Sequence, residues 1–488
     1  MVVACRSSCK AQGVRPSPAV VGQAGAGETA ECSVTSQARS ESKRMHAVLF
    51  LAFALGVMLS PDTLILLGNT LGREGYAALS GLLVAGGLHV LTAWTYGRLG
   101  LYPAASRVES RVLHTAFGPL VATVLPMCAR VVYTVAAATG ILAIAGYVLN
   151  EVFVYWFPNL GFSFCLLGMV VGLTLAGPRV ARLAQLSYVA LALGGLLCLA
   201  TMGLLGCGHA PPVFEVTSSS FVTVRSLLAG LFLFVGFELA LFTTPSTAET
   251  PSPPGRLMAL SIVLAALVFC VWGTVSIRCV TPARLAESTV PHMVTARMIG
   301  GDRGRVVMGV VVLAGTCATV HTLLSAGSRM LAGMARHGLL PAWLGWRQAR
   351  PALLVLAAGP AAMLALGMAG EPETEMYTKA GLLFWLLHYA AMHLAALVGP
   401  RRQTPRTAWS WGTLPAVVSL LSLGSLGLGV LGLVWIDREA THLVVFVMCA
   451  GASASGLSLA WLGWRRCWQW WRAAASTCDD ATSTGNHA

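Results

Sequence analysis

Ionisable residues lie inside several long apolar segments of the chain. Asp62 and Glu238 carry carboxyl groups, Arg130 carries a guanidinium and His321 carries an imidazole. Inside a bilayer such groups are costly, and they usually face a water-filled cavity, bind a substrate or relay protons. A histidine can also change its charge near neutral pH. The chemistry that these residue types predict is binding of a solute and exchange of protons.

Two of these residues belong to interruptions of their apolar segments. Ser60-Pro61-Asp62 interrupts a segment near residues 46–71, and Gly236-Phe237-Glu238 interrupts a second one near residues 221–242, about five segments later. Because a bilayer offers no water to freed backbone groups, a broken helix persists there only if it is buried or lines a cavity. Matching breaks in two halves of a membrane protein indicate a transporter's substrate site.

The segments that carry these residues are long enough to cross a bilayer, which takes about 20 apolar residues. Hydrophobic residues make up 56% of the 488 residues and charged residues only 10%, whereas soluble proteins carry about 25% charged residues. The sequence therefore predicts an all-α integral membrane protein with about twelve spans. They lie near 46–71, 75–97, 119–149, 161–177, 183–206, 222–242, 257–279, 305–332, 352–369, 380–399, 414–435 and 442–464.

The net charge of +13 comes mainly from arginines in alternate short connections and in both tails. This distribution is typical of loops on the cytoplasmic side, and it argues against a nucleic-acid partner. We expect a multi-pass protein of the cytoplasmic membrane with both termini in the cytoplasm. Residues 1–44 are predicted to be a disordered cytoplasmic tail, 46–464 the transporter domain and 465–488 a cytoplasmic C-terminal tail. Because Met45 directly precedes the first span, a start at Met45 is an alternative.

Three stretches, in the same order and on the corresponding spans, resemble the amino acid–polyamine–organocation permeases. They are YGRLGLYPAASRVESRVLHTAFGP at 96–119, LFLFVGFELALFTTPSTAETP at 231–251 and SRMLAGMARHGLLPAWLG at 328–345. The resemblance covers about residues 46–400. It implies two inverted repeats of five helices plus two further helices, with the first and sixth helices broken at mid-membrane. It also implies a secondary active transporter for amino acids or related amines that works by alternating access, either proton-coupled or by exchange.

The first break departs from the pattern of these permeases, in which glycine-rich backbone amides hold the substrate's carboxylate. Pro61 removes one N–H donor. Asp62 adds a carboxylate at the place where the permeases of this family bind the carboxylate of the substrate. The Asp62 carboxylate and the carboxylate of an amino acid substrate would repel each other at this place. There are two alternatives: Asp62 binds the ammonium of an amine or a cationic amino acid, or it is paired within the protein, with Arg130 as the proposed partner.

At the second break, Glu238 aligns with the family's glutamate of the sixth helix. A buried carboxyl group can exchange a proton as the site opens and closes, or it can simply hydrogen-bond the unwound backbone. His321 has two comparable alternatives: it carries protons, or it makes a hydrogen bond between helices. Arg130 is either paired inside the protein or extends to the interface between membrane and water. The two breaks, the resemblance and the polar groups inside apolar segments together predict the site. We expect a substrate site made of Ser60, Asp62, Phe232, Gly236, Phe237 and Glu238, with Glu238, Arg130, Thr319 and His321 as a proton-coupling or polar network.

An enzyme is not expected from this sequence. His388 and His393 are five residues apart, which on a helix is a rotation of about 140°, so they should diverge instead of sharing a metal or a substrate. No string typical of zinc proteases, serine hydrolases or phosphate-binding loops is present. We expect no cofactor and no metal, and the partners are a small-molecule substrate and the lipid bilayer. The alternative function is a membrane sensor or binding protein that derives from a transporter and moves no solute, motivated by the missing glycine break.

Overall fold

Helices account for nearly all of the chain that the structure describes. The computed structural model describes residues 44–99, 105–206, 223–243, 254–398 and 440–483, together with residues 424 and 427, and these contain no strand. The chain divides into two units, residues 1–48 and 49–488. Of the first unit only the helical residues 44–48 are described, and the second unit holds the rest of the helices.

The helices are numbered in chain order. They are α1 (Arg44–Met58), α2 (Pro61–Glu74), α3 (Tyr76–Arg98), α4 (Ala105–Met127), α5 (Tyr133–Val152), α6 (Asn159–Leu175), α7 (Pro178–Leu204), α8 (Val224–Leu233), α9 (Ala240–Thr243), α10 (Pro254–Cys279), α11 (Pro282–Glu287), α12 (Pro291–Arg336), α13 (Arg350–Ala365), α14 (Pro372–Val398) and α15 (Ala440–Ser483). A π-helical turn, Cys128–Val132, joins α4 to α5, and a short 3₁₀ turn, Phe237–Leu239, precedes α9.

Many of these helices could cross a bilayer. In the described part of the chain eight helical stretches are long and apolar enough, or nine if the bent pair of α1 and α2 counts as one span. The shorter apolar helices α6 and α13 lie at the predicted fourth and ninth spans. The predicted eleventh span, 414–435, lies outside the described residues except for two of them. Twelve spans and the inverted repeats therefore stay predictions.

The first predicted break lies between α1 and α2, whose axes differ by 53°. Pro61 has no N–H to give and suits the first turn of α2, and the extended Ser60 caps that helix, its hydroxyl 3.4 Å from the Thr63 nitrogen. The Thr63 hydroxyl in turn lies 2.8 Å from the Met58 carbonyl oxygen and 2.7 Å from that of Ser60. Neighbouring side chains thus satisfy the backbone groups that this break frees.

The second predicted break separates α8 from α9. Gly236 has φ 97°, a left-handed conformation that side chains other than glycine's disfavour. A Cβ atom at this position would also lie only 2.7 Å from Cγ1 of Val57, next to the end of α1. The two breaks therefore contact each other, although about 180 residues separate them in the sequence.

Gly236→Ala should destabilise the fold because it adds both backbone strain and a steric clash. From the usual magnitudes of these effects we expect a loss of about 2–4 kcal/mol in the free energy of unfolding, measured by titrating the purified protein from mild detergent into SDS. Gly140→Ala in α5 is the matched control, since its Cβ would meet no atom within 4 Å. Equal stability of the two variants would contradict this account of the second break.

Candidate functional site

Arg130 is buried among the described helices, with only 1% of its surface exposed. A guanidinium in such a place must be paired, because an unpaired buried charge is strongly destabilising. Its Nη1 and Nη2 donate to the two carboxylate oxygens of Glu109 over 2.8 and 2.7 Å, and Nη2 also lies 3.3 Å from Oε1 of Glu238. The alternative in which Arg130 reaches an interface is therefore wrong. Its carboxylate partners are Glu109 and Glu238, so the alternative pairing with Asp62 is wrong as well.

The contact between Glu109 and Arg130 depends on a break in α4. The two residues are 21 positions apart, and a straight α-helix of that length would separate them by about 30 Å. Gly118, with φ 84° and ψ 178°, interrupts the helix and is followed by Pro119. The π-helical turn then carries Arg130 itself, and such turns are frequent at functional sites. These two irregularities place the guanidinium on the carboxylate.

Glu238 is fully buried and receives a hydrogen bond at each oxygen from α14. Trp385 Nε1 donates to Oε1 over 2.8 Å, and the Tyr389 hydroxyl donates to Oε2 over 2.5 Å. The Tyr389 oxygen also accepts the Gly236 N–H over 3.2 Å, so one side chain satisfies both the carboxylate and the unwound backbone. Phe237 stacks on Tyr389 with 5.7 Å between ring centres. Trp385 and Tyr389 of α14 therefore hold the second break in place through hydrogen bonds and ring stacking.

His388 adds a second basic group beside Glu109. Its Nε2 lies 2.5 Å from Glu109 Oε1, an oxygen to which the Tyr96 hydroxyl also donates over 3.3 Å. His388 and Tyr389 follow Trp385 by three and four positions, so each of them is a neighbour of Trp385 on the surface of α14. We call Glu109, Arg130, Glu238 and His388 the central charge cluster. Phe242 covers the guanidinium, with 4.8 Å between Cζ of Arg130 and the ring centre.

A second polar network supports the first break from α7 and α12. The Thr319 hydroxyl donates to the Gly56 carbonyl over 2.6 Å, and Gln185 Nε2 donates to the Ala52 carbonyl over 3.0 Å. His321 Nδ1 lies 2.8 Å from Gln185 Oε1. His321 thus makes the interhelical hydrogen bond, which joins α12 to α7. Gln185 extends this connection to α1.

A profile of the amino acid permease family matches residues 48–454 of the chain. The chain belongs to this family. It is one of the amino acid–polyamine–organocation superfamily, so the resemblance carried by the three sequence stretches is confirmed. The permease is therefore a multi-pass membrane transporter for a small-molecule substrate. A comparison with curated proteins finds no match.

The predicted site residues of the permease fall into two groups. Glu238, Gly236 and Phe237 meet Arg130 and Tyr389 at the second break. Ser60, Asp62, Thr319 and His321 belong instead to the surroundings of the first break, where the Ser60 hydroxyl donates to the Asp62 carboxylate. Phe232 is partly buried in apolar packing near α14 and α15. Which of these residues touches substrate stays a prediction.

Sequence reasoning misses four residues of the site, namely Glu109, Trp385, His388 and Tyr389. The arginines on both sides of Glu109 assign it to an Arg-rich connection. As the one acidic residue of that connection, it could have been matched with the unpaired Arg130. The sequence singles out His388 only by its spacing from His393, which argues against a shared metal or substrate. His388 does diverge from His393, whose ring nitrogens lie 3.1 and 3.2 Å from the hydroxyls of Thr92 and Thr95.

Arg130→Ala should strongly destabilise the permease because it leaves two buried carboxylates without their cation. We expect a loss of about 3–5 kcal/mol in the free energy of unfolding, measured by SDS titration. Arg98→Ala is the control, since Arg98 is an exposed residue stacked on Trp94 at the end of α3 and should cost less than about 1 kcal/mol. Similar losses in both variants would show that the buried pairing does not stabilise the fold.

Proposed function

We propose that the permease is a secondary active transporter that moves amino acids or related amines across the cytoplasmic membrane by alternating access. A proton gradient or the exchange of a second solute supplies the energy, and both termini are cytoplasmic. The observation that carries this proposal is the meeting of the two broken helices. Val57 at the first break lies against Gly236 at the second, and the buried Glu238 follows directly.

The two breaks differ in how their backbone groups are satisfied, and this difference supports a moving part at the second one. The first break is closed by Ser60 and Thr63, which are adjacent to it. The second depends on Tyr389, which lies on a different helix. A relative movement of α14 and the second break would therefore free the Gly236 N–H and the Glu238 carboxylate together. Freed backbone groups and an ionisable side chain beside a cavity are what a mid-membrane substrate site requires.

The position of Asp62 favours a substrate that carries a positive charge. Asp62 lies in the first turn of α2, where the helix dipole stabilises an anion, and the buried Ser60 hydroxyl donates to it. The chain thus has a carboxylate of its own at the place where other permeases of the family bind the carboxylate of the substrate. Since Arg130 is committed to Glu109 and Glu238, Asp62 is available to bind an ammonium group. We therefore favour amines and cationic amino acids as substrates.

The proposal is tested by uptake into liposomes that contain the purified permease. Labelled neutral, acidic and basic amino acids and polyamines are offered separately, with and without an inward proton gradient. Uptake above that of empty liposomes, saturable and confined to one class of solute, is the expected result. Saturable binding of a solute without any uptake or exchange would instead favour the sensor function.

Asp62→Asn should weaken the transport of amines much more than that of neutral solutes. Loss of one ion pair should raise the apparent KM for a cationic substrate about tenfold, which corresponds to roughly 1.4 kcal/mol. Glu74→Gln is the matched control, because Glu74 lies at the opposite end of the same helix and accepts a hydrogen bond from Thr223. An equal effect of Asp62→Asn on charged and neutral solutes would rule out Asp62 as the substrate's counter-charge.

A further inference from the structure

The central charge cluster contains more negative than positive fixed charge. Glu109 and Glu238 are carboxylates, and Arg130 is the one residue of the cluster that is always charged positively. The donors around Glu238 are an indole N–H, a guanidinium and a phenol whose oxygen already accepts the Gly236 N–H. Because these groups all offer hydrogen-bond donors to Glu238, they favour its ionised carboxylate. With both glutamates ionised and His388 neutral, the cluster has a net charge of −1.

His388 is the group of the cluster that can remove this charge. Its Nε2 lies 2.5 Å from Glu109 Oε1 and 3.5 Å from Nη2 of Arg130, and the much shorter contact with the carboxylate favours an N–H on Nε2. Its Nδ1 is buried and has no hydrogen-bond partner among the residues that the structure describes. A neutral imidazole that donates from Nε2 keeps a free electron pair on Nδ1. A proton taken up there forms one N–H bond, breaks none in the protein, and brings the net charge of the cluster from −1 to zero.

Two nearby histidines, His89 and His321, also have a buried ring nitrogen without a hydrogen-bond partner among the described residues, but neither of them is bound to a carboxylate. The neighbouring elements carry other titratable or charged groups, among them His89 and Tyr96 on α3, Tyr133 on α5, His321 and Arg329 on α12, Tyr389 and His393 on α14 and His442 on α15. The tyrosines are neutral near pH 7, and Arg329 donates to the carbonyls of Phe242 and Thr243. His89 contacts the Ala85 carbonyl, His393 contacts two threonines, and His442 is exposed. None of these histidines faces a carboxylate in the contacts described.

We propose that the permease binds one exchangeable proton at Nδ1 of His388, and that this proton is the ion coupled to transport. The inference rests on the proposed transport function. A net charge buried in protein is costly, whereas water stabilises the same charge readily. Closing the site around the cluster therefore favours uptake of the proton, and opening it to water favours release. Binding of the proton and closing of the site at the second break therefore favour each other.

The test compares His388→Gln with His393→Gln in liposomes that contain trapped pyranine as a pH indicator. A glutamine amide can still donate to Glu109 but cannot take up a proton near neutral pH. The solute is a mixture of radiolabelled protein amino acids with putrescine and spermidine. Two activities are measured: exchange of labelled for unlabelled solute, which needs no gradient, and accumulation driven by a pH gradient.

For the wild type, a gradient of one pH unit should drive roughly tenfold accumulation, as expected for one proton per solute, with a matching change in pyranine fluorescence. His388→Gln should lose both accumulation and the fluorescence change, and it should lose them by a larger factor than it loses exchange. His393→Gln, a buried histidine on the same helix, should behave as wild type. Glu109→Gln is a second variant that should also lose coupling, because its cluster is already neutral without the extra proton.

The outcomes separate this inference from the proposed function. Wild-type protein that neither exchanges nor accumulates any solute would overturn the transport function itself. Exchange by the wild type without any proton movement would overturn the inference alone, and this result does not depend on a variant folding correctly. Gradient-driven accumulation by His388→Gln equal to that of wild type would place the coupled proton elsewhere and would likewise overturn it.

Discussion

The burial of one guanidinium constrains the centre of this permease. Arg130 is 1% exposed, and a cation in that position needs carboxylates within hydrogen-bond distance to avoid a cost of several kcal/mol. Glu109 can reach it only because the helix between them breaks at Gly118, and Glu238 only because the second break unwinds the chain there. The pairing thus depends on these irregular backbone segments, and it links the second break to α4 and the π-helical turn.

The helix breaks could be predicted from the sequence because their causes are local. Pro61 lacks an N–H and Gly236 tolerates positive φ, and each stands out inside an apolar segment. That Arg130 needed a partner was equally predictable from its apolar neighbours. The identity of the partner was harder to predict, because the contact depends on the break at Gly118 that brings Glu109, from an Arg-rich connection, to Arg130. Asp62, which local reasoning offered as the partner, interacts with Ser60 instead.

The aromatic donors of the site were harder to predict for a different reason. Trp385 and Tyr389 lie in an apolar segment in which aromatic residues normally pack or anchor a helix at an interface. Their spacing with His388 places three polar atoms on one face of α14, yet that pattern has meaning only once the buried Glu238 and Glu109 are known to face it. Polar contacts between distant segments leave no local trace in hydropathy. The family resemblance also did not supply them, since its recognisable motifs lie elsewhere in the chain.

The distances around Glu238 rank the contacts that an opening movement would have to break. Arg130 holds Glu109 through two charge-assisted bonds of 2.7 and 2.8 Å, a bidentate geometry that is among the strongest in proteins. It holds Glu238 through one longer contact of 3.3 Å, while Glu238 is bound to α14 over 2.5 and 2.8 Å. The contact between Arg130 and Glu238 is therefore the weakest of the set. When Glu238 leaves this set of contacts, Arg130 keeps the carboxylate of Glu109, so the second break can move without leaving a buried cation unpaired.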